Sequence, residues 1–137
     1  MINYNSIEEA LNSEGYIITN FEGVSMYPTF LNNDLLIIIK EDKYELYDIV
    51  LYKKDNKYVA HRIVDIKDNY YVIRGDNTIT DEFIPRSNLL ARIDSILRNK
   101  EKIKLDYDKN FKDYQKSLHS LAFRKIKHKI RSLLIYE

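Results

Sequence analysis

The chain has 137 residues, 45% of them hydrophobic, which is enough to bury one core and excludes a second large domain. It has no cysteine and three scattered histidines, which excludes disulfides and thiolate metal centres and gives no zinc-ligand spacing; no metal or cofactor and a cytoplasmic location are expected. The net charge of +1 conceals an asymmetry, because residues 115–137 hold Lys116, Arg124, Lys125, Lys127, Lys129 and Arg131 against Glu137 alone, a net +5 that leaves −4 upstream.

Ser6-Ile7-Glu8-Glu9 fits a capping box, with Ser6 as N-cap and Gly15 placed to end a short helix. Tyr16 to Phe21 then alternates as a strand and runs directly into Gly23-Val24-Ser25-Met26-Tyr27-Pro28-Thr29, leaving no room for a DNA-binding helix-turn-helix before it. From Leu35 to Leu97, short apolar runs are separated by polar turns such as Lys54-Asp55-Asn56-Lys57 and Lys67-Asp68-Asn69. That pattern predicts a mainly β fold, an antiparallel coiled sheet or partial barrel. Ile84-Pro85 closes an acidic loop, and Leu90 to Leu97 reads as a returning strand. The twelve tyrosines lie mostly at strand spacing and read as half-buried sheet residues, so no nucleic-acid partner is expected.

In the tail, Leu118, Leu121, Ala122, Ile126, Ile130, Leu133 and Leu134 recur at three- and four-residue intervals, giving an amphipathic helix with a basic opposite face. Two uses of it are open: packing of the apolar face on the sheet, which is the ordinary meaning of such a stripe, or peripheral contact with an anionic membrane. No apolar stretch is long enough to span a bilayer, and Met1 to Gly15 is too polar and acidic for a signal peptide. The expected division is a domain over residues 1–100, then a linker and the basic helix over 101–137.

The chemistry-bearing residues fall in three blocks. Pro28 fixes its own φ and restricts Tyr27, so the backbone after Ser25 is pinned; Gly23, lacking a Cβ, lets the backbone approach a substrate carbonyl and form an oxyanion hole with the Ser25 amide. His61 lies in a strand pattern with Val59 and Ile63 on its own face, so it points with the buried side chains, and its ordinary pKa suits a neutral base. Gly75-Asp76-Asn77 supplies a turn in which Asp76 braces the loop through backbone amides. Asp81 or Glu82 is then within reach to set the His61 tautomer, Asp81 being preferred. A plain surface loop, a core histidine and a hairpin exit are the bland counterparts of the three blocks taken singly.

Over roughly Asn20 to Leu97 the sequence resembles the signal peptidase type I and LexA-like serine peptidase superfamily. The matching strings are Gly23 to Thr29, Asn33-Asp34-Leu35-Leu36, Tyr47-Asp48-Ile49-Val50-Leu51-Tyr52, His61-Arg62-Ile63-Val64 and Arg74-Gly75-Asp76-Asn77. The histidine, where most bacterial members carry lysine, is similar to archaeal and endoplasmic-reticulum signal peptidases. The resemblance implies a serine endopeptidase cutting a peptide or protein precursor bound as an added strand, small residues being favoured near the scissile bond. It assigns Ser25 as nucleophile, His61 as base, Asp76 and Asp81 to the acidic loop, and Gly23, Met26 and Pro28 to the oxyanion and substrate side. A self-cleaving LexA-like regulator and a non-catalytic peptide binder are the alternatives. Oligomeric state is not read from the sequence.

Overall fold

The computed structural model describes residues 4–135, so residues 1–3 of the polar N-terminal stretch and Glu137 of the basic tail lie outside the described residues. Helix α1 spans Ile7–Glu14; Ser6 Oγ accepts the Glu9 N–H at 3.1 Å, and Gly15 closes the helix at φ +81°, a left-handed conformation natural to glycine. Eight strands follow: β1 Tyr16–Thr19, β2 Leu35–Lys40, β3 Ile49–Lys54, β4 Lys57–Ile66, β5 Tyr70–Arg74, β6 Glu82–Pro85, β7 Leu89–Arg98 and β8 Glu101–Lys104. Helix α2 runs over Tyr107–Ile135.

The strands form one antiparallel, unclosed sheet in the order β1-β2-β7-β3-β4-β5-β6, with β8 on the remaining part of β7. Turn chemistry fixes its register. Asp55 and Asn56, both at positive φ, make the two-residue turn between β3 and β4, and register shifts at Ile37/Ile38, Leu51/Tyr52 and Ile63/Asp65 mark bulges that coil the sheet.

Strand β3 is buried on both sides: Ile49 and Leu51 join Leu36, Ile38, Ala91 and Ile93 in one core cluster, whereas Val50 and Tyr52 join Ile63, Tyr71 and Ile73 in the other. The expected linker after residue 100 is instead strand β8, because Asn99 and Lys100 turn the chain back at positive φ onto β7. Helix α2 also begins earlier than the apolar repeat, at a cap formed by Asp106, whose Oδ1 accepts the Lys109 N–H at 2.9 Å.

Packing of α2 reverses the ordinary expectation for an amphipathic helix. Its polar residues Asn110, Asp113 and Ser117 are buried, while Phe123, Ile126, Ile130, Leu133 and Leu134 are exposed. The cause is Arg62, fully buried beneath the helix, whose Nη1 donates to Asn110 O and Oδ1 at 3.2 Å and so requires polar partners there. Tyr47 stacks on Tyr114 with ring centroids 4.4 Å apart and completes the contact.

Candidate active site

Ser25 lies in a tight turn between β1 and β2. Gly23 precedes it at φ +104°, a conformation that a side chain would strain, and the Tyr27–Pro28 peptide is cis. The turn closes through Tyr27 N–H to Val24 O and Phe30 N–H to Met26 O, both at 3.1 Å. Its far end is held by Arg98, which donates to Thr29 O at 3.0 Å and forks onto Asp34 at 2.7 and 2.9 Å.

Strand register brings the partners together. Ile63 on β4 opposes Ile73 on β5, which opposes Glu82 on β6, so these three share a face; His61, two residues before Ile63, shares it too. On the other side Tyr52 opposes Val59, again two residues from His61. Tyr52, His61 and Glu82 therefore converge on one side of the sheet, where the Ser25 turn meets them.

The resulting chain of contacts has one consistent proton order. Ser25 Oγ is 3.0 Å from His61 Nε2, His61 Nδ1 is 3.2 Å from Tyr52 Oη, and Tyr52 Oη donates to Glu82 Oε1 at 3.1 Å. With Nε2 accepting from the serine, Nδ1 carries the ring hydrogen and donates to the phenol oxygen, whose own hydrogen is committed to the carboxylate. Burial pushes the imidazole below its ordinary value, against the opposing pull of Glu82 and then Asp76. Burial and Glu82 together push the Tyr52 phenol up, so it stays a neutral bridge. Lys54 Nζ lies 2.9 Å from Glu82 Oε2 and covers that carboxylate from the solvent side.

Asp81 does not reach His61. Successive strand residues face opposite ways, so Asp81 turns outward to Arg74 at 3.0 Å and Glu82 turns inward. Asp76 does brace the loop, through side chains and not through backbone amides: it receives Arg62 Nε and Nη2 at 2.8 Å each and the Thr29 hydroxyl. Arg62, next to the histidine in sequence, thereby ties β4 to the Gly75 loop. Asn77 then closes on the serine turn, its N–H donating to Ser25 O at 2.9 Å and its Nδ2 to Val24 O at 3.0 Å.

Beside Ser25 runs an open, mainly apolar groove of about 310 Å³ between Phe21, Glu22 and Gly23 on one side and Lys57 to His61 on the other. Gly23 lines it as expected. Met26 forms part of its wall but is buried in the core, its sulfur accepting the Asp76 N–H at 3.3 Å. Pro28 does not line this groove; it faces the opposite side, toward Thr29, Asp76 and helix α2. Tyr52 is the partner that the sequence does not single out, and Glu82 takes the place for which Asp81 is the preferred reading and Glu82 the alternative. Period-two alternation counted back from Ile84 singles out Glu82, whereas nothing in Ile49-Val50-Leu51-Tyr52 separates the tyrosine from core.

Fold and site together define an open antiparallel β domain with a serine hydroxyl hydrogen-bonded to a buried imidazole. A family model described as Peptidase S24-like matches residues 3–93, and the chain belongs to that family, which includes serine peptidases and self-cleaving LexA-like regulators. No curated protein and no solved structure matches the chain. Strand β8 and helix α2 lie beyond the matched range.

Proposed function

We propose that the protein is a serine endopeptidase of the signal-peptidase-like type, acting on a separate peptide or protein precursor, with Ser25 as nucleophile and His61 as general base. The observation that carries this is the 3.0 Å contact between Ser25 Oγ and His61 Nε2, continued by Tyr52 and Glu82 on Nδ1. As Ser25 Oγ bonds to the scissile carbonyl carbon, its proton passes to Nε2. The Ser25 and Gly23 amides serve the developing oxyanion, each such donor being worth about 3 kcal/mol. Collapse breaks the C–N bond, the imidazolium proton goes to the leaving amine, and water, deprotonated by the same nitrogen, releases the acyl group. Tyr52 and Glu82 are positioning residues that hold the tautomer.

Sheet topology supports strand addition by the substrate. Strand β4 pairs with β3 from Lys57 onward, but with β5 only from Arg62, so the edge of Lys57 to His61 that lines the groove carries no neighbouring strand. An extended peptide on that edge gains main-chain hydrogen bonds and delivers a carbonyl to Ser25. The open groove favours a separate substrate over the chain's own linker.

The test is incubation with a complex peptide mixture followed by mass spectrometry. The expected result is a set of new termini sharing one motif, absent with Ser25→Ala and His61→Ala. Peptides retained without cleavage would identify a non-catalytic binder, and two fragments of the protein itself a self-cleaving regulator; either overturns the proposal.

A further inference from the structure

Helix α2 presents two faces with different fates. Asn110, Asp113, Ser117 and Arg124 face the body, Arg124 donating to Thr78 O at 3.1 Å. Ile126 follows Ser117 by nine positions, which at 100° per residue puts it about 180° round the helix. Around it lie Phe123, Ile130, Leu133 and Leu134, each more than half exposed. This is a continuous apolar stripe pointed away from its own domain, in a helix whose packing requirements are already met by its polar side.

The charges beside the stripe point to its partner. Lys125 and Lys129 flank one side, Lys127 and Arg131 the other, all exposed, and no acidic residue occurs between Asp113 and Glu137. A second copy of the helix is disfavoured: with Phe123, Ile126, Ile130 and Leu133 as the seam, Lys127 and Lys129 flank it, meeting their own copies in an antiparallel pair and facing only Ala122 and Leu134 in a parallel one, so neither orientation supplies an acidic partner. A nucleic acid would use the cations and leave the apolar stripe in water. An anionic bilayer surface satisfies both, with the stripe in the acyl boundary and the flanking cations at the headgroups. No helix among the described residues is long and apolar enough to cross the membrane, so the contact is in-plane.

We propose that α2 docks the protein peripherally on anionic lipid through Phe123, Ile126, Ile130, Leu133 and Leu134. Because Arg62 grips Asn110 and Arg124 grips the Thr78 carbonyl, docking also sets the height of the Ser25 groove above the surface. This inference does not depend on the peptidase chemistry.

Flotation of the full chain with vesicles tests it, using phosphatidylcholine alone or mixed with phosphatidylglycerol. Binding is expected only to the mixed vesicles and falls as salt is raised. Replacing Ile126→Ser with Ile130→Ser weakens it on the order of a hundredfold. Lys125→Gln with Lys129→Gln weakens it about thirtyfold. All four positions are exposed, and an unchanged circular dichroism spectrum checks that the variants fold. Equal binding to neutral vesicles, no binding to either, or a dimer in sedimentation that dissolves with the isoleucine changes would each overturn the proposal. A complex with an oligonucleotide that is indifferent to the isoleucine changes would overturn it too.

Discussion

Gly75→Ala is the perturbation whose consequence the geometry specifies most closely. A Cβ at Gly75 would sit 2.6 Å from Ser25 O, 2.8 Å from Thr78 Cγ2 and 3.1 Å from His61 Nε2. The threonine methyl can swing aside. The Ser25 carbonyl cannot, because it is backbone in a turn and accepts the Asn77 N–H at 2.9 Å. Restoring ordinary contact therefore needs a backbone shift of several tenths of an ångström at the place where the Gly75 loop meets both the serine turn and the histidine. The 3.0 Å Ser25–His61 contact has no slack for that displacement. A misplacement of about 1 Å can cost about a hundredfold in rate, so a shift of this size should cost about tenfold or more. Overpacking costs about 1–3 kcal/mol of stability, or roughly 3–12 °C in Tm. The assay is the rate of Ser25 phosphonylation by a fluorophosphonate, with Tm measured alongside. Thr78→Ser added to Gly75→Ala relieves the softer contact only, so it should restore little of the rate. Labelling of Gly75→Ala at the wild-type rate would refute the reasoning.

Other changes separate the roles of the neighbouring groups. Tyr52→Phe leaves the buried Nδ1–H without an acceptor, at about 1–3 kcal/mol, and should slow Ser25 labelling, read by the same probe and a melting curve. Because burial depresses the His61 pKa and Glu82 opposes that depression, the labelling rate should rise with pH through an inflection below the ordinary histidine value, and Glu82→Gln should move that inflection lower still. Arg62→Met strands the Asp76 carboxylate in a buried place and should cost about 3–5 kcal/mol in urea unfolding. Asp81→Asn removes only an outward-facing pair with Arg74 and should leave both labelling and Tm close to wild type.

What the sequence made legible follows from local rules. The Ser6–Glu9 cap, the Gly15 stop and the Asp55-Asn56 turn each depend on a handful of adjacent residues, and each is found as read; His61 is buried as read too, but β4 buries both its faces there, with Ala60 and Arg62 covered as well as Ile63. Asp81 misled because two adjacent carboxylates are equivalent in a string and opposite in a strand; the strand boundary at Glu82 decides between them. Gly75 was read as a turn residue, but its close approach to Ser25 O and His61 Nε2 spans distant parts of the chain. The apolar repeat of α2 revealed a helix and its faces without saying which face meets the sheet, because that depends on Arg62 beneath it.

Identification of the labelled residue tests the central claim most directly: intact-mass and tryptic mapping after exposure to a fluorophosphonate at neutral pH. The account predicts one adduct, on Ser25, lost in His61→Ala protein that melts as wild type does. An unmodified Ser25 in folded wild-type protein, or equal modification without His61, would contradict it.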